Sequence, residues 1–176
     1  MLFGDLGVTD GLKAFSIPPK SKPTKGTIKN MIELGKKHMG ARYQYGAPRR
    51  DDYTASFDCS SYTRYLFSVG RGMNIGMDSR IQARYVKTHG AHRWLNWRKA
   101  VPGDLMFFSA YRGNRASDYP ANRDKTITHV GLIIGKDKEG RLLLLHTASH
   151  PTGVRIQHVN ATHLQYRFVS MGTPIR

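Results

Sequence analysis

THVGLIIGKDKEGRLLLLHTA, residues 128–148, decides the fold. Two apolar runs, THVGLIIG (128–135) and RLLLLHTA (141–148), flank the polar turn KDKEG. Each run has the length of a strand and is too short for a typical helix, and the turn between them contains Gly140. The pattern predicts an antiparallel hairpin, which brings the far ends of its strands together. With the turn centred on Asp137–Lys138, His129 stands opposite His146 and both point to one face. A bulged loop at Gly140 leaves other registers open.

Working outward, LMFFSA (105–110) follows the turn VPGD, and VRIQHV (154–159) and YRFVSM (166–171) alternate or nearly so. These extend the hairpin into a meander. The N-terminal half reads differently. Thr27 is a candidate N-cap, and Ile28, Met31, Ile32, Gly35 and Met39 follow at helical spacing, with Gly40 placed to end the helix. After the loop ARYQYGAPRRDDYTASF (41–57) a second helix begins at Asp58 and runs to about Val69. Tyr62, Tyr65, Leu66 and Val69 line its apolar side, and Gly70 stands at its end. A shorter helix spans Ser79–Lys87. Helices followed by strands predict an α+β domain, its N-terminal helices packed on an antiparallel sheet of five to six strands. That domain occupies 27–176. Residues 1–26, with the proline- and lysine-rich IPPKSKPTKG at 17–26, read as a linker or N-terminal extension.

The chain has 176 residues, 39% of them hydrophobic, one cysteine and a formal charge of +16. One thiol cannot form an internal disulfide, which excludes a disulfide-stapled scaffold. The apolar run LLLL (142–145) is far short of the ~20 residues of a membrane span. No signal peptide is legible at the N-terminus. The charge attracts polyanions. There is no long basic run, zinc-finger spacing or glycine-rich phosphate loop, so anionic cell-wall polymers are expected partners and specific nucleic-acid recognition is not.

The sole cysteine lies in FDCSSY (57–62). Asp58 as N-cap puts Cys59 at the first helical position, where the helix dipole favours a thiolate. With a base nearby, that is a nucleophile. A lone cysteine is also a small buried hydrophobe, and from the residues alone both readings stand. His129 and His146 are candidate partners: a thiol–imidazole pair needs a third polar group to fix the ring, and a second histidine can serve. A zinc site on Cys59, His129 and His146 lacks any HExxH or CxxC spacing. Asp51 and Asp52 read as loop residues, HGAH (89–92) is too sparse for a metal box, and Met73, Met77 and Met106 read as core. Trp94 and Trp97 read as packed against the sheet.

The segments YQYG (43–46), FDCSSY (57–62), MNIGMDSRIQ (73–82), VPGDLMFF (101–108), HVGLIIG (129–135) and LLHTAS (144–149) occur in the order seen in the NlpC family. The chain resembles these papain-like bacterial cell-wall cysteine peptidases over roughly residues 28–160. The resemblance implies a papain-like fold and catalysis without a cofactor or metal. It matches Cys59 to the nucleophile, His129 to the general base, His146 to the residue that orients the base, and Tyr43 to a tyrosine near the oxyanion site. The backbone N–H of Cys59 would be the other oxyanion donor. Asp58 and Ser60 match the residues flanking the nucleophile. The implied substrate is a peptidoglycan stem peptide, cut between D-glutamate and the following diamino acid, in an extracellular, cell-wall or virion setting. Alternatives are an amidase of the same fold or a basic, non-catalytic wall-binding or virion module. The chain departs from the family in carrying Ala47 after YQYG, a longer loop with Arg49 and Arg50, and a long segment between Phe108 and His129. Arg49 and Arg50 are expected to meet stem-peptide carboxylates.

Overall fold

The computed structural model describes residues 16–47, 56–149 and 153–175. Its elements begin with helix α1 (Ile28–Lys36) and two short strands, β1 (Arg42–Tyr43) and β2 (Ser56–Phe57). Helices α2 (Cys59–Arg71) and α3 (Ser79–His89) follow, then strands β3 (His92–Trp94), β4 (Leu105–Ser109), β5 (Ile127–Lys136), β6 (Leu142–Ala148) and β7 (Gly153–His158). A one-turn helix α4 (His163–Arg167) leads into the last strand, β8 (Phe168–Thr173).

The cap residues set the helix starts. Thr27 accepts from the Asn30 N–H, Asp58 from Ser61 and Asp78 from Ile81, each satisfying an amide that the helix itself cannot. The ends differ from the sequence expectation. Helix α1 closes at Lys36, and a further turn carries the chain to Gly40, leaving Met39 exposed. Gly70 does not end α2. It lies inside that helix, where a Cβ would approach Met31 at 3.2 Å, so it lets α1 pack closely on α2. The helix ends at Gly72, whose φ of 65° is left-handed, with Met73 N–H bonded back to the Phe67 carbonyl.

Six strands form one antiparallel sheet in the order β3-β8-β4-β5-β6-β7. The predicted meander is correct from β4 to β7. The last strand instead returns across the sheet to pair with β4, and Tyr166 and Arg167 belong to α4, which Thr162 caps. The three-residue edge strand HRW (92–94) has too little alternation to be read from sequence; its pairing with β8 defines it.

Every residue of β4 is buried because both faces of the sheet are covered. Leu105 and Phe107 face α1, α2 and α3 together with Val130, Leu132 and Leu145. Met106 and Phe108 face a second cluster with Ile133, Leu144 and Leu164, closed by Trp94, Trp97 and Phe168. Asp104 of the VPGD turn is fully buried. It accepts from the Val101 N–H and pairs with His92 at 2.8 Å, tying the turn to the edge strand. Residues 16–26 carry no helix or strand, yet they run along the domain. Ile17 packs on the core, Ser21 bonds Tyr85, and Thr24 bonds the Arg71 carbonyl. Among the described residues no helix is long and apolar enough to cross a membrane.

Candidate active site

The site forms where the N-terminus of α2 meets β5. Asp58 receives the Ser61 N–H at 2.7 Å and the Ser60 hydroxyl at 3.2 Å, and its own N–H donates to Ser61 Oγ. This box fixes Cys59 as the first helical residue. The Cys59 sulfur lies 3.9 Å from the Thr128 carbonyl and takes a hydrogen bond from the Val130 N–H, so it rests on β5 at the two residues that bracket His129.

A thiolate was the expectation at this helix end. The structure gives a thiol instead. Burial, reinforced by the negative charge of Asp58, pushes the sulfur's pKa up to about 11, and the backbone N–H bonds from Val130, Ser60 and Cys59 only partly offset this. Among the described residues the sulfur's hydrogen-bond partners are backbone groups. The resting site is therefore a neutral pair, since burial and His146 also hold His129 well below the usual imidazole value.

Behind His129 runs a series of side-chain hydrogen bonds. His129 Nε2 and His146 Nδ1 are 2.7 Å apart, with the rings at 75° to one another. His146 Nε2 meets Gln157 Oε1 at 3.2 Å, and that same oxygen accepts from Arg155 Nη2. Chemistry sets the direction. A guanidinium only donates, so it draws the Gln157 oxygen rather than its NH2. That oxygen only accepts, so His146 Nε2 carries a hydrogen and Nδ1 of the neutral ring accepts. His129 must then donate through Nε2, which leaves its Nδ1 as the basic lone pair. His146 is 2% exposed; burial, then Arg155, push its pKa down to about 3, so it stays neutral and serves as an acceptor.

The two histidines do not face one another directly. A bulge between Ile133 and Gly135 shifts the hairpin so that Leu132 pairs with Leu145. One step further along, Gly131 stands opposite His146 and His129 lies diagonal to it. The diagonal contact needs an empty place at Gly131, where a Cβ would fall 2.9 Å from that of His146.

Two pockets meet at this point, sharing Tyr43 and Thr128. One contains Cys59, Asp58, Ser60 and Tyr45; the other contains His129, His146, Gln157, Arg155, His163 and Arg167. Tyr43 is near enough to Cys59 and Asp58 for their charges to add to burial in raising its phenol pKa. Of the expected site residues, Tyr43, Asp58, Cys59, Ser60, His129 and His146 come together. Arg49 and Arg50 lie outside the described residues. Sequence pattern alone does not single out Gln157 or Arg155. The signal was the alternation of VRIQHV, which places both on one strand face beside His146 once the β6–β7 register is known. Among the described residues no group of three or more His, Cys, Asp or Glu side chains is placed to hold a metal ion. The arrangement puts a thiol at a helix N-terminus, resting on the strand that carries a hydrogen-bonded imidazole.

The NlpC/P60 family model matches residues 40–173. Over 155 residues the chain is 26% identical to the bifunctional muramidase/DL-endopeptidase CwlT of Bacillus subtilis, covering 86% of this chain and 39% of that protein. It is 30% identical over 105 residues to the probable endopeptidase p60 of Listeria monocytogenes, covering 60% of this chain and 17% of the relative. The chain thus spans less than half the length of these relatives. Among solved structures, the NlpC/p60 domain of the peptidoglycan hydrolase SagA superposes with a TM-score of 0.58 at 19% identity, covering 84% of this chain and 98% of that one. An NlpC/P60 family protein from Bacillus cereus superposes at 0.61 with 22% identity, covering 89% and 43%. These likenesses establish the fold, and the family model spans most of the domain. A helix-borne cysteine against a strand-borne histidine pair, on this six-stranded sheet, is the framework of a papain-like peptidase, and the chain belongs to the NlpC/P60 family of cysteine peptidases.

Proposed function

We propose that this domain hydrolyses an amide bond in peptidoglycan stem peptides, between D-glutamate and the following diamino acid, in a cell-wall, extracellular or virion setting. The single observation that supports the reading is the directed series from Gln157 through His146 to His129, whose chain neighbours Thr128 and Val130 contact the Cys59 sulfur. In the reaction, the Cys59 proton passes to His129 Nδ1 as the sulfur attacks the amide carbonyl. The Cys59 backbone N–H and the Tyr43 hydroxyl hold the oxyanion. His129 returns the proton to the leaving nitrogen as the C–N bond breaks. It then takes a proton from water, which attacks the thioester and releases the acid, and the thiol is restored. His146 and Gln157 keep the His129 ring in its basic tautomer and steady the imidazolium. The chemistry needs no metal or cofactor.

A cationic groove supports wall affinity. Arg80, Arg84 and Lys87 form a stripe along α3, and Arg93 and Lys125 add to the lining, which also includes Asp78. This groove shares Asp78, Arg80, Thr126 and Ile127 with the Cys59 pocket, so an anionic wall polymer lying in it would lead to the site. The test is digestion of purified muropeptides, with products read by mass spectrometry. The expected products are fragments ending in D-glutamate, absent with Cys59→Ala. Cleavage at the glycan–peptide junction would instead establish an amidase, and unchanged hydrolysis by Cys59→Ala would overturn the reading.

A further inference from the structure

Three elements turn their cations toward one groove of about 560 Å³. Arg80, Arg84 and Lys87 follow one another along α3, Arg93 stands on the edge strand β3, and Lys125 precedes β5. All five side chains are exposed, and among the described residues none of them is in an ion pair. The one carboxylate in the lining, Asp78, accepts from the Ile81 N–H at 2.9 Å as the cap of α3. Asp124, next to Lys125 in the chain, accepts from the Thr126 N–H and hydroxyl. Like charges one turn apart on a helix repel, and α3 carries no acidic residue to offset them. An anion from outside the chain would relieve that repulsion, and each arginine can grip a phosphate at two points.

The rest of the lining narrows the kind of anion. Ile81, Ala83, Ile127 and Val169 give the groove an apolar surface, and no Phe, Tyr or Trp lines it. A single strand of nucleic acid stacks its bases on aromatic rings, which this groove does not provide. Along α3 the charges recur every three or four residues, about 4.5 to 6 Å of helix rise. That spacing suits a backbone with an anion every few single bonds, such as phosphodiesters joined by short polyols, whose carbons would rest on the apolar surface. We infer that the groove binds a polyol phosphodiester polymer of the cell wall and holds the wall that carries it against Cys59. The groove shares Asp78, Arg80, Thr126 and Ile127 with the Cys59 pocket, so the bound polymer lies beside the scissile peptide and not in its place. The coupling to Cys59 rests on the peptidase reading above.

The first test measures binding on the Cys59→Ala protein, so that hydrolysis plays no part. A fluorescent oligo(glycerol phosphate) is titrated by anisotropy and compared with oligothymidylate and oligoglutamate of equal charge. The glycerol phosphate is expected to bind at least threefold more tightly than either. Arg84→Glu combined with Lys87→Glu should weaken it tenfold or more. Should that pair unfold the domain, Arg84→Gln with Lys87→Gln should weaken it at least threefold. Lys136→Glu with Lys138→Glu makes the same change in net charge at the far end of β5, on the order of 30 Å along the strand from Ile127, and should have a much smaller effect. Equal or tighter binding of either comparison oligomer, or equal losses in the two charge-reversed pairs, would overturn the groove assignment.

The second test uses the active protein. Walls that carry their phosphodiester polymer are expected to be cut at least threefold faster than the same walls stripped of it with hydrofluoric acid, and free oligomer should slow only the former. Cleavage of free muropeptides should not respond to the oligomer. Equal rates on the two walls, or inhibition of muropeptide cleavage, would overturn the coupling to Cys59. Cleavage of neither walls nor muropeptides would overturn the peptidase reading, while the binding result stands by itself.

Discussion

His129 donates to His146 across a 2.7 Å contact although the two do not face each other in the sheet; Gly131, which has no side chain, lies opposite His146 and leaves the diagonal open. The contact fixes one tautomer of His129 only because Gln157 first fixes His146.

Gln157 is therefore a positioning residue. Gln157→Leu removes the acceptor and frees the His146 tautomer, and kcat should fall on the order of tenfold to a hundredfold with KM little changed. Gln157→Glu keeps an acceptor and adds a negative charge beside His146. That charge favours the protonated imidazoles, so the acid limb of the kcat profile should move to higher pH. A steady-state pH series on both variants checks this. An unmoved limb in Gln157→Glu with full activity in Gln157→Leu would remove Gln157 from the account.

Stability should fall in mild acid. His146 is lowered from 6.5 to about 3 in the folded state, so below pH 6.5 the unfolded chain takes up a proton that the folded chain refuses. Unfolding is then favoured as pH drops. His146 alone should remove about 2 kcal/mol between pH 7.5 and pH 5, and His129, shifted in the same direction, adds to it. Urea midpoints measured across that range should decrease, and His146→Gln should flatten the slope. A midpoint constant over the range contradicts the neutral, buried pair.

The free thiol should be sluggish. With its pKa pushed to about 11, Cys59 should react with iodoacetamide more slowly at pH 7 than free cysteine does, the rate climbing toward that value. Asp58→Asn keeps a side-chain cap oxygen and removes the charge, so the alkylation midpoint should move down. Asp58→Ala should do the same and cost about 1 kcal/mol of stability through the lost cap. Rapid alkylation at neutral pH, with a midpoint indifferent to Asp58, would restore a preformed thiolate.

The strands β4 to β7 and all three long helices are legible in the sequence because their cues are local. Thr27, Asp58 and Asp78 cap helices, and apolar runs between polar turns form strands. What is not legible is set by distant partners. β8 skips back to β4 because Met171 and Phe168 have a place in the second core cluster, and nothing near residue 168 announces it. Gly70 carries a stop signal in its own helix that the packing of Met31 overrides. Tyr43, Cys59, His129 and His146 can be listed from motifs. The charge state of Cys59 cannot, because the helix dipole is a local property whereas the burial that outweighs it comes from β5. Gln157 and Arg167 become visible only once β7 and α4 are placed beside β6 and β5.

The central claim is that Cys59 carries the acyl group while His129 manages the protons. Intact-protein mass spectrometry, with quenching at times shorter than one turnover on a stem-peptide substrate, tests it most directly. The account predicts a transient mass increase equal to the acyl fragment, mapped to the peptide containing Cys59 and absent in Cys59→Ala. Product release with no adduct at any time, and at an equal rate in Cys59→Ala, would contradict it.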